Sequence, residues 1–230
     1  MGGTNRRRII AGSDTTSTAM AATLFYLVRN PSALERATAE VREKFAEVED
    51  IHSGPQLGSL PYLKACIDEA MRLSPSVGGL LPREVLPGGI TVDGESIPAG
   101  MVIGTPHYTI HHNETYYPEA FSYVPERWVS GSTVAGGLVG EEDVSRAKSA
   151  FCPFSIGPRG CIGKGLAYIE MTMTLARLLF MYDIRRAAGI STGEGREGNE
   201  WGRHRPSEYQ LVDTFTSLKD GPMVEFRKRI

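Results

Sequence analysis

The chain has 230 residues, of which 25 are basic and 27 are acidic, so its formal net charge is −2. This near-neutral balance gives no reason to expect a nucleic acid partner. Its three cysteines form no disulfide framework, which favours a reducing compartment, and the chain has neither a signal-peptide pattern nor an apolar run of 18 residues.

Three helices are predicted in the first third of the chain. The first spans residues 9–28 and has few charges, so we expect it to be buried on most sides. The second begins at Pro31, which fits a first helical turn, and its apolar residues recur at spacings of three and four. The third spans residues 59–73, where Ser59 is expected to cap the N-terminus and Pro61 to fit the first turn.

Short strands and loops are predicted after these helices. The pattern of residues 90–97 predicts a β-hairpin, because Asp93-Gly94 supplies the positive φ values that a tight turn needs. Residues 101–104 predict another strand, and residues 105–130 are rich in Tyr, His and Pro, which is typical of loops.

The last part of the chain alternates between polar loops and one long helix. Residues 131–140 are rich in glycine and are predicted to be flexible. A helix is predicted at residues 166–179 and a closing strand at residues 223–226. The order of helices, a small sheet, a long meander and a helix predicts a mainly α fold with a small β component, an α+β domain.

The glycine-rich loop around Cys161 has the strongest chemical signal. A cysteine at a helix N-terminus lies near the positive end of the helix dipole, which favours the thiolate. The residues alone leave three interpretations of Cys161: a buried structural cysteine, a reactive thiol, or a metal ligand. Cys152, nine residues upstream, forms no CxxC pair with it and is expected to pack beside the loop.

The sequence around this cysteine resembles the haem-binding loop of the cytochrome P-450 family. The pattern F-x-x-G-x-R-x-C-x-G is filled at all five fixed positions by Phe154, Gly157, Arg159, Cys161 and Gly163. The resemblance implies that the cysteine thiolate is the axial ligand of haem iron and that the arginine contacts a haem propionate.

The segment AGSDTT, which starts at Ala11, has two interpretations. From the residues alone, Ser13 or Asp14 is expected to cap the first helix. The segment is also similar to the oxygen-activating helix of the same family. That resemblance implies that Ala11 lies near the haem face, Gly12 opens the helix, Asp14 feeds protons and Thr15 positions the water that delivers them.

Glu69 and Arg72 lie three residues apart and therefore on one face of the third helix. Taken alone, this spacing favours a surface ion pair that contributes about 0–1 kcal/mol. The pair also resembles the family's E-x-x-R motif, which meets an arginine from a downstream meander. The sequence PERW supplies Arg127 at that place, and the resemblance implies a buried triad that supports the scaffold and haem retention.

Other candidate residues have weaker signals. Arg83 lies where the family often has a propionate-binding arginine, although an exposed strand arginine is an equal alternative. His107, His111 and His112 are interpreted as loop or surface histidines, because no third metal ligand follows at a suitable spacing. Cys66 lies on the apolar face of the third helix and is expected in the core.

The resemblance as a whole implies the C-terminal half of a haem-thiolate monooxygenase, with residues 1–230 as a single partial domain. The N-terminal half of the family fold, including a membrane anchor and the roof of the substrate pocket, is expected to be missing. The implied reaction transfers one atom of molecular oxygen to a hydrophobic small molecule, with electrons from NADPH through a flavoprotein reductase. Similarity to fungal microsomal members implies secondary metabolism.

The same resemblance implies a location. A full-length parent is expected on the cytosolic face of the endoplasmic reticulum, and this chain as it stands in the cytoplasm. Two alternatives remain open at this point. One is a non-catalytic remnant that binds haem weakly or not at all, and the other is a haem-free thiol peroxidase that uses Cys161.

Overall fold

The computed structural model describes the backbone of residues 2–200 and 202–229, and the side chains of residues 11–200 and 202–229. Its α-helices are α1 (Gly2–Leu27), α2 (Pro31–Lys44), α3 (Pro55–Gly58), α4 (Pro61–Leu73), α5 (His107–His111), α6 (Glu141–Ala150) and α7 (Lys164–Met181). Short 3-10 helices lie at Val48–Asp50, Pro125–Trp128 and Gly157–Arg159. The strands pair antiparallel in twos: β1 (Arg83–Glu84) with β4 (Val102–Ile103), β2 (Ile90–Val92) with β3 (Glu95–Ile97), β5 (Thr133–Val134) with β6 (Gly137–Leu138), β7 (Tyr182–Arg186) with β10 (Val224–Lys228), and β8 (Leu211–Val212) with β9 (Leu218–Lys219).

The helices α1, α2, α4 and α7 pack around the main hydrophobic core. Each contributes apolar side chains without solvent exposure, among them Leu27, Val41, Ile67 and Leu175. The removal of such side chains from water is the main force that holds the helices together. The strand pairs are short and mostly exposed. The predicted α+β fold, mainly helical with a small β component, is therefore confirmed.

The first helix is longer than predicted and is buried along only part of its length. It begins at Gly2, so Ser13 and Asp14 lie inside the helix and the N-cap interpretation is wrong. Residues 11–14 are exposed, whereas the side chains of residues 16–27 are buried or half-buried where α1 packs on α4 and α7. None of the described helices, α1 included, combines the length and the apolar character needed to span a bilayer.

The fourth helix begins where a carboxylate from α2 reaches its first turn. The prediction that Ser59 caps this helix is wrong, because α4 starts at Pro61 and the serine hydroxyl donates to a carbonyl of α3. Glu40 instead accepts the backbone N–H groups of Tyr62 and Leu63, each at 2.8 Å. A neighbouring helix thereby satisfies donors that the first turn leaves without partners.

Two hairpins lie between α4 and α6. The predicted hairpin is confirmed as β2 and β3, with Asp93 (φ 49°) and Gly94 (φ 85°) in the left-handed region. Residues 131–140, predicted to be flexible, contain the paired strands β5 and β6. A backbone hydrogen bond of 2.8 Å from Val139 N to Ser132 O extends this second hairpin.

The C-terminal part contains both predicted and missed elements. The helix predicted at residues 166–179 is confirmed as α7, and the strand predicted at residues 223–226 is confirmed as part of β10. The sequence pattern missed α6 and β7, although β7 pairs along its whole length with β10. The run Glu141-Glu142-Asp143 in the first turn of α6 was the available signal, because acidic side chains favour the positive end of a helix dipole.

Candidate functional site

The residues around Cys161 form a tight loop between α6 and α7. Cys161 donates its backbone N–H to the Phe154 carbonyl at 2.8 Å, and Ser155 donates to the Cys152 carbonyl at 2.8 Å. Ser155 (φ 57°) and Gly157 (φ 71°) adopt left-handed conformations that let the chain reverse direction. The loop presents the Cys161 side chain at the surface, just before α7 begins.

The Cys161 thiol is free, and its sequence neighbours are exposed apolar or basic residues. Ile156 and Ile162 have exposed fractions of 77% and 106%. Arg159 is exposed as well, and no side chain in the described part of the chain forms an ion pair with it. A Cβ added at Gly163 would lie 3.7 Å from the cysteine sulfur, in ordinary van der Waals contact with it, so this glycine borders the sulfur directly.

An aromatic contact anchors this loop to α4 and α7. Phe154 packs against Tyr168 with the ring centroids 5.2 Å apart. The Tyr168 hydroxyl donates to Asp68 Oδ1 at 2.6 Å, and Lys64 donates to the other carboxylate oxygen. Burial raises the pKa of the Asp68 carboxyl, whereas Lys64 and Tyr168 oppose that rise. The loop therefore rests on polar residues that the helical core already holds in place.

Glu69 lies at the centre of a buried ion cluster, formed by Glu69, Arg72 and Arg127. Its carboxylate accepts hydrogen bonds from Arg72 Nε and Nη2, both at 2.9 Å, and from Arg127 Nε at 3.0 Å. Trp128 Nε1 and the Val124 backbone N–H donate to the same carboxylate at 2.9 Å. The side chains of Glu69 and Arg72 have no solvent exposure. The pair is thus buried and is not the surface ion pair that the spacing alone favours.

Charge compensation keeps the ion cluster ionised. Burial raises the pKa of the Glu69 carboxyl, but Arg72 and Arg127 outweigh burial and lower this pKa to about 2. Arg72 Nη1 also donates to the carbonyls of His111 and Ala120, at 2.8 and 2.6 Å. A single guanidinium therefore joins α4 to α5 and to the meander that follows it.

The first helix carries the residues expected to handle protons. Thr15 Oγ1 donates to the Ala11 carbonyl at 2.7 Å, and α1 continues unbroken beyond this threonine. Ser76 Oγ donates to the Thr15 carbonyl at 2.7 Å. Asp14 is exposed, and a Cβ added at Gly12 would meet no described atom within 4 Å beyond its own turns of helix. This face of α1 is therefore open.

Arg83 lies in β1 and is exposed. Its Nη1 donates to the Pro82 carbonyl at 2.8 Å. Within the part of the chain whose side chains are described, no hydrogen bond or ion pair joins Arg83, Asp14 or Thr15 to the Cys161 loop. The structure thus brings together the three residues of the ion cluster, and among the described residues it joins these three site candidates to the loop by no hydrogen bond or ion pair.

His107 and His111 of α5 lie inside the protein, so the prediction of loop or surface positions is wrong for these two, whereas His112 lies in the turn after α5 and is half-buried. His111 has no solvent exposure and His107 has only 6%. Burial lowers the pKa of His111 to about 3 and that of His112 to about 4. Their short helix packs on α4, which turns the rings inward. Among the described residues, no group of three or more His, Cys, Asp or Glu side chains is placed to hold a metal ion.

A family model for cytochrome P-450 matches residues 7–189 of this chain. The chain belongs to the cytochrome P-450 family. It is 48% identical over 232 residues to the cytochrome P-450 monooxygenase AKT7 of Alternaria alternata, covering 99% of this chain and 44% of that protein. It is 47% identical over 223 residues to a cytochrome P-450 monooxygenase of Gibberella zeae, covering 96% of this chain and 49% of that protein. The chain spans about half the length of the curated relatives it matches.

The P-450 fold is also found by comparison with solved structures. A crystal structure of a cytochrome P-450 superposes on this chain with a TM-score of 0.71 and 24% sequence identity. The match covers 96% of this chain and 44% of the other. At this level of identity the likeness concerns the fold alone.

Cytochromes P-450 carry haem, and the residues of the Cys161 loop fit that group. The donor is a free thiol, which becomes a soft ligand suited to iron when it is deprotonated. Arg159 offers an exposed guanidinium, a group whose N–H donors match the two oxygens of a carboxylate. The exposed Ile156 and Ile162 offer apolar surface of the kind that packs against a porphyrin. The chemistry of the loop therefore agrees with an apolar cofactor that carries iron and carboxylates.

Two contributions to the candidate site were not predicted. Trp128 donates to Glu69, and His111 Nε2 accepts the backbone N–H of Cys152 at 3.0 Å. A signal existed for the tryptophan, because it follows Arg127 within the same motif. No signal existed for the histidine, because 41 residues separate it from its partner.

Proposed function

We propose that this chain is the haem-binding part of a cytochrome P-450 monooxygenase and that Cys161 is the thiolate ligand of the haem iron. The observation that carries the proposal is the free, exposed thiol of Cys161. This thiol lies on a loop that is closed by the hydrogen bond from the Cys161 backbone N–H to the Phe154 carbonyl. When bound, haem supplies the activation of molecular oxygen, so that one oxygen atom enters a C–H bond or alkene of a hydrophobic small molecule and the other becomes water, with electrons from NADPH through a flavoprotein reductase.

The other loop residues hold the cofactor in this proposal. Arg159 binds a propionate, because its exposed guanidinium matches a carboxylate. Arg83 is the candidate for a second propionate contact, since its side chain is also exposed. Phe154 supports the loop through its contact with Tyr168, Gly157 supplies the left-handed conformation (φ 71°) that the loop needs, and Gly163 lies beside the sulfur.

The open face of α1 handles protons in this proposal. Asp14 supplies them from solvent, since its carboxylate is exposed. Thr15 directs its own hydroxyl proton to the Ala11 carbonyl at 2.7 Å, so its oxygen lone pairs are free to accept a hydrogen bond from water. Ala11, one turn earlier, has a small side chain that leaves room on the cofactor side.

The ion cluster supports the scaffold and takes no part in the chemistry. Glu69 joins α4 to the 3-10 helix Pro125–Trp128, which keeps the meander against the core. Removing one partner of a buried ion pair typically destabilises a protein by about 3–5 kcal/mol. We propose that haem retention depends on these residues through this structural role.

The absorption spectrum of the reduced, CO-treated chain tests ligation by Cys161. We expect a Soret band typical of thiolate ligation, and we expect Cys161→Ala to lose it. Cys66→Ala is the matched control, because this thiol lies in the core of α4 without solvent exposure, and it should keep the band. An unchanged spectrum in Cys161→Ala would refute the proposal.

A second candidate is a non-catalytic chain that binds haem weakly or not at all. The exposed Leu166 in the first turn of α7 favours it, because an apolar side chain next to the loop faces solvent. Titration of the chain with haem separates the candidates. Saturable binding with a thiolate-type spectrum supports the monooxygenase, whereas non-saturable binding or a spectrum that is independent of Cys161 supports the second candidate.

We also propose a setting for a full-length parent, of which residues 1–230 are one partial domain. Its partners are an NADPH-dependent flavoprotein reductase, a hydrophobic small molecule and molecular oxygen. We place it on the cytosolic face of the endoplasmic reticulum, in fungal secondary metabolism, and we expect the chain alone in the cytoplasm. The fungal relatives support this setting. Reduction of the full-length protein by NADPH and reductase, followed by its CO spectrum and by cell fractionation, tests it.

A further inference from the structure

His111 contacts both the ion cluster and the Cys161 loop. Its carbonyl oxygen accepts a hydrogen bond from Arg72 Nη1 at 2.8 Å, and its side-chain Nε2 accepts the backbone N–H of Cys152 at 3.0 Å. The carbonyl of Cys152 accepts in turn the N–H of Ser155 at 2.8 Å. One residue of α5 therefore joins the Arg72 guanidinium in the core to Cys152, near the start of the loop.

The contact with Cys152 determines the tautomer of the His111 ring. A backbone N–H only donates, so Nε2 must offer its lone pair and the ring proton lies on Nδ1. Nδ1 is buried, and no described residue accepts a hydrogen bond from it. Burial lowers the pKa of His111 to about 3, which keeps the ring neutral near physiological pH. The imidazole thus serves the loop as an acceptor.

Aromatic packing fixes the orientation of this ring. His111 stacks on Phe151, with centroids 5.5 Å apart and an interplanar angle of 28°, and meets the edge of Tyr117 at 6.4 Å. Phe151 directly precedes Cys152, so the His111 ring contacts both the side chain of Phe151 and the backbone amide of Cys152. Because His111 has no solvent exposure, water does not replace a lost hydrogen bond there without opening the structure.

We propose that His111 is a positioning residue for the Cys161 loop. Its neutral ring anchors the Cys152 amide to the ion cluster and thereby determines where the loop presents the cysteine sulfur. The relevance of that position to haem ligation rests on the function proposed above, whereas the anchoring itself does not.

The tautomer of His111 gives a first test. Nitrogen-15 NMR of the histidine rings in the 230-residue chain distinguishes a proton on Nδ1 from one on Nε2. We expect the Nδ1–H form with a neutral ring. A proton on Nε2 would overturn the proposal, because that nitrogen would then be unable to accept from Cys152.

Amide hydrogen exchange of two variants gives the second test. His111→Phe keeps an aromatic ring without an acceptor, whereas His111→Gln keeps an acceptor at the end of a side chain of similar reach. The Ser74 amide, which donates to Ala70 O at 2.8 Å, reports opening of the core. Relative to Ser74, exchange at Cys152 should accelerate about tenfold or more in the Phe variant and stay within about threefold in the Gln variant.

His107→Phe is the matched control for these variants. His107 lies one turn earlier on α5 and is similarly buried, but its Nδ1 pairs with the Val77 carbonyl at 2.9 Å and not with the loop. In His107→Phe, the exchange rate of the Cys152 amide relative to that of the Ser74 amide should stay within about threefold of the value in the unsubstituted chain. Equal acceleration at both amides in His111→Phe would overturn the proposal.

A failure of His111→Phe to fold leaves the decision to His111→Gln. A folded Gln variant with slow exchange at Cys152 supports the anchoring. A folded Gln variant in which Cys152 exchanges about tenfold faster than its Ser74 reference would overturn it.

The spectrum of the haem-loaded protein tests the functional consequence. We expect the reduced CO band of His111→Phe to gain a component typical of a neutral thiol, whereas His111→Gln keeps the band of the unsubstituted chain. An unchanged band together with faster exchange at Cys152 would overturn the link to haem ligation. Absence of haem from the unsubstituted chain would refute the proposed function, while the exchange result would still decide the anchoring.

Discussion

The Cys161 loop and the ion cluster differ most in burial. The Cys161 thiol is exposed and free, whereas Glu69 and Arg72 have no solvent exposure and every oxygen of the Glu69 carboxylate accepts hydrogen bonds. An exposed side chain without partners contributes little to folding, whereas a buried and fully hydrogen-bonded ion cluster holds the scaffold. Substitutions in the two regions should therefore separate cofactor binding from stability.

Glu69→Gln should give the largest effect on stability. The change leaves Arg72 and Arg127 as buried charges without their partner, so we expect the free energy of unfolding to fall by about 3–5 kcal/mol. Urea unfolding near neutral pH measures it. Glu225→Gln is the control, because the ion pair of Glu225 with Arg185 is solvent-exposed, and it should leave the midpoint unchanged. Equal midpoints for both variants would contradict the buried role of the cluster.

The contribution of the ion cluster to stability should also depend on pH, because the pKa of Glu69 differs between the folded and the unfolded state. The folded-state pKa of Glu69 is about 2, below the ordinary value of 4.5, so the unfolded state takes up the proton first as the pH falls. The stability from this difference is complete above pH 4.5 and is lost as the pH approaches 2, a total of roughly 3 kcal/mol. The free energy of unfolding, measured as a function of pH, should not show this loss in Glu69→Gln. An identical pH dependence in Glu69→Gln and in the unsubstituted chain would contradict the lowered pKa of Glu69.

The histidines add a second acid-sensitive component that Glu69→Gln should not change. Burial lowers the pKa of His111 and His112 from 6.5 to about 3 and about 4. Below pH 6.5 the unfolded state therefore binds protons that the folded state excludes, and stability falls. Comparison of the two proteins at each pH cancels this shared loss.

Trp128→Phe should have an intermediate effect. The change removes the indole N–H that donates to the Glu69 carboxylate at 2.9 Å, and a hydrogen bond to a charged group contributes about 1.5–3 kcal/mol. Tyr117→Phe removes a buried hydroxyl that donates to the neutral Ala147 carbonyl at 2.9 Å, so its loss should be smaller, about 0.5–1.5 kcal/mol. Thermal unfolding compares them, and the reverse order would refute the role of the charged acceptor.

Cys161→Ala should have the smallest effect on stability. The side chain is exposed and has no partner among the described residues, so we expect a change within about 0.5 kcal/mol. Cys66→Ala removes a buried sulfur and should destabilise the chain more, by about 1 kcal/mol. Denaturant titration of both variants without haem checks this order. A loss above about 1 kcal/mol for Cys161→Ala would show that the loop depends on its thiol for folding.

Sequence patterns predicted the elements whose signals are local. The Asp93-Gly94 hairpin and α7 were predicted because turn residues and apolar spacing act within a few positions of each other. The i, i+3 spacing correctly placed Glu69 and Arg72 together, but it did not indicate whether they face water or the core. Their burial depends on the meander that covers them, which lies about 50 residues further along the chain.

Other features could not be predicted from the sequence, because the residues that contact them lie far away along the chain. Glu40 satisfies the first turn of α4 from another helix, which made the local expectation for Ser59 wrong. The histidines of α5 were expected in loops or at the surface, because polarity is local information while the packing of α5 on α4 is not. The α6 helix was not predicted, although its first turn is acidic, because it has too few apolar residues to show a helical period.

The sequence by itself determined the mainly helical α+β class, the turn-borne hairpin and the family, because turn chemistry, periodicity and a spaced motif are properties of neighbouring residues. Only the tertiary structure decided that the Glu69 carboxylate is buried among donors, that His111 faces inward to the Cys152 amide, and that the thiol of Cys161 faces solvent. Burial and hydrogen-bond partners arise when distant segments pack together, and the polarity of a side chain does not reveal which segment will cover it.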